Sequence, residues 1–367
     1  MVLGHQIPFP PVRGGGVNNL VWMLAKQFAR ENKVTAYSPT SPGLPDHEVD
    51  AHGIEHFRRP GLAVHPNVWR DNLQALPYSG RILPLLKPAD VTSFHTPFSF
   101  LLRHKPGLGV CTHTIHRTPK WILKLHGGLD RIYGGSHAVI EQARAISPRA
   151  APKLRAIHNC IDLPEQMPST ALVEPLTFLY VGRFARDKGL ESLIRGFLAV
   201  APQNPSMRLQ TIGPQTGDEG ADVSFFEEMK TLVSSDPCGA QVSLQPSIYD
   251  REKLFTEIER AAVFCLPSLS GETFSMAALE GMASAKPLLV SDFGPMGEMV
   301  EHKRNGYIAK AGDVAAWTTA VEFFVQNQAH LPELGRRSFE KARAEFSSER
   351  IAQEYLADFR MLLQQRS

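Results

Sequence analysis

The sequence has no apolar run approaching the ~18 residues needed to cross a bilayer; Phe178–Val181, Ala261–Leu266 and Pro287–Val290 all fall far short. Its opening, MVLGHQIPFPP, lacks a basic start followed by an apolar stretch, so no secretory leader is expected. Cysteine is scarce. Cys111, Cys160, Cys238 and Cys265 are widely separated, which argues against a disulfide framework or a cysteine-based zinc site and fits a reducing compartment. No run of five basic residues occurs, and no zinc-finger, RRM or KH signature, so a nucleic-acid partner is not expected. Repeats, heptads and low-complexity tracts are also missing. So are a dinucleotide fingerprint after a strand, a Walker loop and an HExxH motif, which excludes the simplest dehydrogenase, P-loop and zincin readings.

What is present is a globular composition, with 43% hydrophobic and 21% charged residues over 367 positions. That length suits two domains with real cores. A net charge of +2 hides an asymmetry. Residues 1–160 hold 19 Lys/Arg against 9 Asp/Glu, and the remainder 20 against 28; twelve of the 14 histidines precede Asn159. A basic half suits an anionic substrate or the anionic face of a membrane. Equally, it could dock on the acidic half.

Short β-rich runs alternate with amphipathic helical stretches, the pattern of an α/β protein with parallel sheets. In the first half, strands are expected at Met1–Ile7, Lys33–Tyr37, Val91–Phe94, Val110–Ile115 and Arg131–Gly134. A helix presents Val17, Leu20, Val21, Leu24 and Phe28 on one face, and Ser136 caps another that begins near Ala138. Residues 38–90 yield no clear pattern. Three prolines in DLPEQMPSTALVEP mark a linker, giving domains 1–160 and 176–345 around linker 161–175, with a final helix in 346–367. The second half alternates strands at Thr177–Val181, Arg208–Ile212, Gln241–Leu244, Val263–Leu266 and Leu288–Ser291 with helices at Leu190–Val200, Phe225–Val233, Arg251–Ala261 and Met276–Ala283. Such doubly wound sheets bind ligands at the carboxyl ends of their strands.

Four pieces carry candidate chemistry. The first is SLSGETFSMAALE, Ser268–Glu280, with Glu272 at the mouth of a helix and Glu280 about two turns on. An anion or sugar hydroxyl there would meet N–H donors at Phe274, Ser275 and Met276. The bland alternative is two ordinary helix acids. The second is FLYVGRFARDKG, where Arg183 and Lys188 follow a strand and suit a diphosphate, or form a solvated basic turn. The third is PPVRGGG, where Gly14 and Gly15 permit close backbone approach, or make a plain loop. The fourth is THTIHR. On an extended strand His113 and His116 face opposite ways, which disfavours a shared metal; His116 at the strand end suits a cleft, and His113, His95 and His126 suit structural roles.

Taken in order, these pieces resemble the retaining glycosyltransferases of family 4. The matches are Pro-x-x-Gly-Gly at Pro11–Gly15, Gly-Arg-x-x-x-x-Lys-Gly at Gly182–Gly189 and the EX7E pair Glu272/Glu280. Softer matches are Asn159-Cys-Ile-Asp162, Leu129–Ser136, Ala283–Pro287, Ser291–Glu298 and Asn305–Asp313. The resemblance implies the GT-B architecture, two Rossmann-like domains with parallel sheets facing across a cleft, with the last helix returning to the first domain. It implies a nucleoside-diphosphate sugar, most simply a UDP-sugar, as substrate, with neither cofactor nor metal. Arg183 and Lys188 would hold the diphosphate and stabilise the leaving group. Glu280 would bind the ribose, and Glu272 the donor sugar beside the amides of Phe274, Ser275 and Met276. Gly14 and Gly15 would approach phosphate or acceptor, and His116 would be the histidine near the reacting sugar. The product would keep the donor's anomeric configuration.

Ser275 stands where the family usually has glycine, and its hydroxyl could tune the sugar pocket. Cys160 replaces a glycine, and Gly16 and Val17 replace a segment that often includes an acid. For the acceptor, Arg117, Lys120 and Lys124 around Trp121, Ile122 and Leu125 read as a helix with cations beside an apolar edge. That would suit a lipid phosphate or anionic glycan, or simply pack on the sheet. The expectation is a cytoplasmic enzyme using a saccharide or lipid-linked saccharide acceptor for cell-surface polysaccharide or lipopolysaccharide assembly, with peripheral membrane contact left open. A nucleotide-sugar epimerase and a non-catalytic surface-binding protein of the same fold are the rival readings.

Overall fold

The computed structural model describes residues 1–6, 8–11, 15–62, 68–172, 174–217 and 220–366, with side chains left aside at 68–72 and 74. The chain forms two compact units, Met1–Cys160 with Ser348–Ser367, and Ile161–Ser347.

In the first unit the elements run β1 (Val2–Leu3), α1 (Gly16–Ala29), β2 (Thr35–Pro39), β3 (His47–Val49), β4 (Glu55–Arg59), α2 (Val68–Ile82), β5 (Val91–His95), α3 (Ser99–Leu102), β6 (Val110–Ile115), β7 (Arg131–Gly134), α4 (His137–Ile146) and β8 (Leu154–Ala156). They build an eight-stranded sheet in the order β3-β4-β2-β1-β5-β6-β7-β8, parallel except for β3 against β4. The order reverses direction between β1 and β5, so the crevice of this unit opens beside the ends of those strands. The expected strand Met1–Ile7 shrinks to two residues. Val2 and Leu3 pair with Phe94 and His95, after which Pro8, Pro10 and Pro11 offer no N–H to a ladder; Ile7 lies outside the described residues.

Two buried polar groups explain why residues 38–90 resist reading. Arg58 and His56 are fully buried in β4. Arg58 donates to the Phe9 carbonyl from Nε and Nη2 (3.1 and 2.9 Å) and pairs with Glu48 at 2.6 Å; His56 contacts Asp50 at 2.9 Å. Asn18 donates to the Pro8 carbonyl at 3.0 Å. The segment entering the glycine run is thereby held from two sides.

The second unit contains β9 (Thr177–Val181), α5 (Leu190–Val200), β10 (Arg208–Ile212), α6 (Val223–Ser235), β11 (Val242–Gln245), α7 (Arg251–Arg260), β12 (Val263–Leu266), α8 (Met276–Ala283), β13 (Leu288–Ser291), α9 (Met296–Met299), β14 (Gly306–Ala309), α10 (Val314–Gln326) and α11 (Leu331–Glu345). Its six strands are all parallel in the order β11-β10-β9-β12-β13-β14. Phe178, Tyr180, Phe197, Trp317 and Phe324 lie in its apolar core. Here the order reverses between β9 and β12, which predicts a ligand crevice past Val181 and Leu266.

The last helix, α12 (Ser348–Gln364), belongs to the first unit. Phe28 of α1 meets Tyr355 and Phe359 at ring separations of 6.3 and 6.0 Å. Asp358, fully buried, accepts from Arg131 Nε (2.9 Å), Arg155 Nη1 and the Tyr133 hydroxyl (2.7 Å).

Candidate active site

The two loops at the reversal point of the second unit are the ones that carry Arg183/Lys188 and Glu272. After β9, Gly182 donates its N–H to Ile212 at 3.0 Å, and the chain turns through Arg183 to a short 3-10 turn at Arg186–Lys188. Gly189 follows with φ +67°. A Cβ there would meet the Pro267 carbonyl oxygen at 2.1 Å, so only glycine lets this loop lie against the loop after β12. The loops are also stitched by backbone, since Leu269 and Ser270 both donate to the Asp187 carbonyl, at 2.8 and 3.2 Å.

That stitching brings Lys188 to Glu272. Lys188 Nζ donates to Glu272 Oε1, and the Ser268 hydroxyl donates to the same oxygen at 3.1 Å. Ser268 is itself held through its carbonyl, which accepts from Ser291 Oγ at 2.6 Å. The pair is mostly shielded, with the side chains 20% and 13% exposed. Arg183 is more open: its guanidinium meets Asp187 at 3.2 Å, and the Tyr180 hydroxyl donates to its carbonyl at 2.7 Å. A tri-donor ammonium and a forked guanidinium on one edge can hold vicinal phosphates, while the carboxylate accepts from hydroxyls.

Helix α8 starts immediately beyond. Ser275 is its N-cap and accepts from Ala278 N at 3.3 Å. Ser275 is buried, and its hydroxyl oxygen is used by the helix end, which leaves the O–H as a donor. Phe274 is buried, its ring against Phe346 at 5.3 Å. Met276 opens the first turn. Glu280, a little over a turn further in, is not the ordinary exposed helix acid of the bland reading. Burial pushes its carboxyl above the usual range, partly opposed by Arg251.

Such an acid binds more protons folded than unfolded, so its charge costs stability increasingly as pH rises through and above its ordinary pKa. Glu280→Gln should therefore raise the ligand-free melting temperature, with a gain that grows between pH 4 and 7. If the carboxylate holds a ribose hydroxyl, the same change weakens nucleotide binding by about tenfold or more. Melting curves with and without UDP at both pH values check both halves; a variant that melts like wild type at every pH contradicts the first.

In the first unit, Gly14 lies outside the described residues. Gly15 is the N-cap of α1 with φ 147°, a conformation favouring glycine. His116 follows β6, and its Nε2 lies 2.8 Å from His95 Nδ1. Sequence reasoning left His95 as structural; the two histidines meet because β5 and β6 are neighbours, which only the sheet order shows. His113 instead meets Ser99 Oγ at 3.2 Å, and its ring lies 4.5 Å from that of His126, tilted by 42°. The expected helix around Trp121 is corrected to 3-10 turns over Trp121–Gly128, bounded by Pro119 and ending in two glycines, none of which propagates an α-helix. Trp121 and Leu125 are exposed there, while Leu123 and His126 are buried.

Comparison with known proteins matches residues 14–165 to "Glycosyltransferase Family 4" and residues 164–344 to "Glycosyl transferases group 1". Mannosylfructose-phosphate synthase of Agrobacterium fabrum is 29% identical over 49% of this chain and 39% of its own. The lipopolysaccharide core biosynthesis mannosyltransferase LpcC of Rhizobium leguminosarum is 25% identical over 50% of each. The chain thus spans half or less of the length of these relatives. Among solved structures, sucrose-phosphate synthase of Thermosynechococcus elongatus superposes with a TM-score of 0.80 at 20% identity, over 99% of this chain and 98% of that one. HepE of Anabaena, solved with UDP and glucose, gives 0.75 at 15% identity, over 97% and 98%. These two α/β units with parallel sheets have the GT-B fold, and the chain belongs to the family 4 type of glycosyltransferases.

Proposed function

We propose that this protein is a hexosyltransferase that moves a hexose from a UDP-sugar to a saccharide or lipid-linked saccharide, retaining the anomeric configuration and using no metal. One observation carries the reading: the loops flanking the β9/β12 reversal place the Lys188 ammonium on the Glu272 carboxylate, with Arg183 in the same loop. Lys188 and Arg183 grip the diphosphate and neutralise charge as UDP departs. Glu272 turns toward donor-sugar hydroxyls once phosphate oxygens take over part of Lys188. Glu280 holds the ribose, and backbone amides at Phe274–Met276 lie beside the sugar. The UDP and glucose bound by HepE, and the lipopolysaccharide role in the name of LpcC, support the donor class and a cell-surface product.

The test is incubation with a panel of UDP-sugars and oligosaccharide acceptors, after chelation of divalent metal. Acceptor-dependent UDP release and an α-linked product from an α-linked donor are expected. Conversion of the donor with no acceptor would favour an epimerase, and no turnover with any donor would sink the reading. Trp121 and Leu125, 51% and 46% exposed beside Lys120 and Lys124, favour peripheral contact with an anionic bilayer. No helix among the described residues is long and apolar enough to cross a membrane. Flotation with phosphatidylglycerol vesicles at low salt should carry the protein upward; a protein that stays at the bottom refutes the contact.

A further inference from the structure

We propose that the first unit carries a site for phosphate monoesters, built on Arg103 and Lys105, at the edge of its sheet away from the crevice. The site does not depend on the glycosyltransferase reading. A cavity of about 370 Å³ opens there, lined among others by Arg103, Lys105, Cys111, Gly128, Asp130 and Arg366. All of these residues belong to the first unit. Cys111 is the second residue of β6, and Asp130 immediately precedes β7. The cavity therefore lies beside the amino ends of parallel strands, whereas the crevice of such a sheet opens at their carboxyl ends. Its volume falls within the range of small-molecule sites, about 300–1,000 Å³.

The lining sets Arg103, Lys105 and Arg366 against the single carboxylate of Asp130. That carboxylate is already engaged. Arg366 Nη2 donates to both of its oxygens at 3.0 Å, and the Cys111 N–H donates to Oδ2 at 2.7 Å. Arg103 and Lys105 are held by backbone carbonyls instead. Arg103 Nη1 donates to Gly128 at 3.1 Å, and Lys105 Nζ to Leu83 and Pro84 at 2.7 and 3.0 Å. A carbonyl orients a cation without cancelling its charge. Among the described residues neither cation has a carboxylate partner, and Arg103 Nε is buried without a hydrogen bond. The guanidinium is also fixed in place, since a Cβ on Gly128 would lie 2.3 Å from its Cζ and Nη2. Capping of α3, which ends at Leu102, does not account for the pair, because the carbonyls they bond belong to other segments. The cavity thus presents two positioned cations whose charge nothing nearby neutralises. A phosphate monoester carries about −1.5 to −2 at neutral pH, which matches that charge, and its oxygens accept from guanidinium and ammonium together.

A free phosphate ester and the headgroup of phosphatidic acid present the same group, and two arms of one experiment separate them. In the first, amide spectra of the full chain are followed during titration with glycerol 3-phosphate, with glycerol as the uncharged control. Shifts should appear at the cavity glycines Gly107, Gly109 and Gly128, with a dissociation constant of about 1 mM or tighter at low salt. Affinity should fall about tenfold in Lys105→Gln and at least as far in Arg103→Gln. Lys105→Gln leaves the Arg103 clamp in place, so it decides the matter if Arg103→Gln fails to fold. Lys188→Ala, in the second unit, should leave the titration unchanged. In the second arm, the same variants are sedimented with phosphatidylcholine vesicles with and without phosphatidic acid. Shifts from glycerol 3-phosphate assign the site to a free ester. Retention on phosphatidic acid that both substitutions weaken, without those shifts, assigns it to the lipid. Glycine shifts or vesicle retention that persist undiminished in Lys105→Gln, or equal shifts from glycerol, overturn the proposal. So does the absence of both signals with about 20 mM ester.

Discussion

Lys188→Ala should lower kcat by about 10²–10³-fold while leaving a folded protein. The magnitude follows from where the ammonium sits. Lys188 is mostly shielded, oriented by its bond to Glu272, and held at the reversal point by a glycine that no other residue can replace. A charge fixed before the reaction begins costs no reorganisation when the sugar–phosphate bond breaks and negative charge grows on the departing diphosphate. Truncation removes that stabilisation and leaves Glu272 with only the Ser268 hydroxyl of these two partners, which adds an unfavourable anion beside the leaving group. Lys188→Arg should restore only part of the rate, because a planar fork cannot occupy the position of a compact ammonium on Glu272. Steady-state kinetics on both variants, with circular dichroism to verify folding, check this. Turnover within threefold of wild type in Lys188→Ala would remove the residue from the reaction.

The largest stability effect should come from Asp358→Ala. Asp358 is a buried carboxylate with two guanidinium partners and a tyrosine hydroxyl, and it ties α12 to β7 and β8. Removing it leaves Arg131 and Arg155 facing a cavity without their anion and strands the Tyr133 hydroxyl. Breaking one side of a buried ion pair costs about 3–5 kcal/mol, which for a unit of this size lowers the melting temperature by about 6–20 °C. Asp358→Asn, which keeps an acceptor for Tyr133 but not the charge, should fall between. Denaturant melts of both variants decide the matter. A loss below about 1 kcal/mol in Asp358→Ala would mean that aromatic packing of Phe28, Tyr355 and Phe359 alone holds the helix.

Most of the second unit is legible in the sequence, and the reason is physical. Parallel strands covered on both faces must be apolar throughout, so Phe178–Val181 and Val263–Leu266 stand out between helices with polar caps such as Asp250. The bounds of β9, α5, β10, β12, α8 and β13 coincide with the sequence-based ones. The first unit is harder where its core breaks that rule. Arg58 and His56 occupy inward positions of β4; Arg58 pairs with Glu48 and donates to the Phe9 carbonyl, His56 is hydrogen-bonded to Asp50, and those partners come from other segments. β1 is too short to show a period at all. In the site, motif residues were legible because their loops follow strands whose order reverses there. The Lys188–Glu272 contact spans 84 residues and the His95–His116 contact joins two strands; neither is visible without the sheet order. The role of Ser275 as a cap was hidden for the opposite reason: a serine before a helix can serve helix or ligand, and only geometry chooses.

The central claim is that the second unit grips a pyrophosphate through Lys188 and Arg183. Calorimetric titration of the intact protein with uridine, UMP and UDP tests it most directly. UDP should bind at least about tenfold more tightly than UMP, consistent with an added charge-assisted contact, and the advantage should shrink in Lys188→Ala, where Arg183 alone remains. Equal affinity for UDP and uridine would contradict the account.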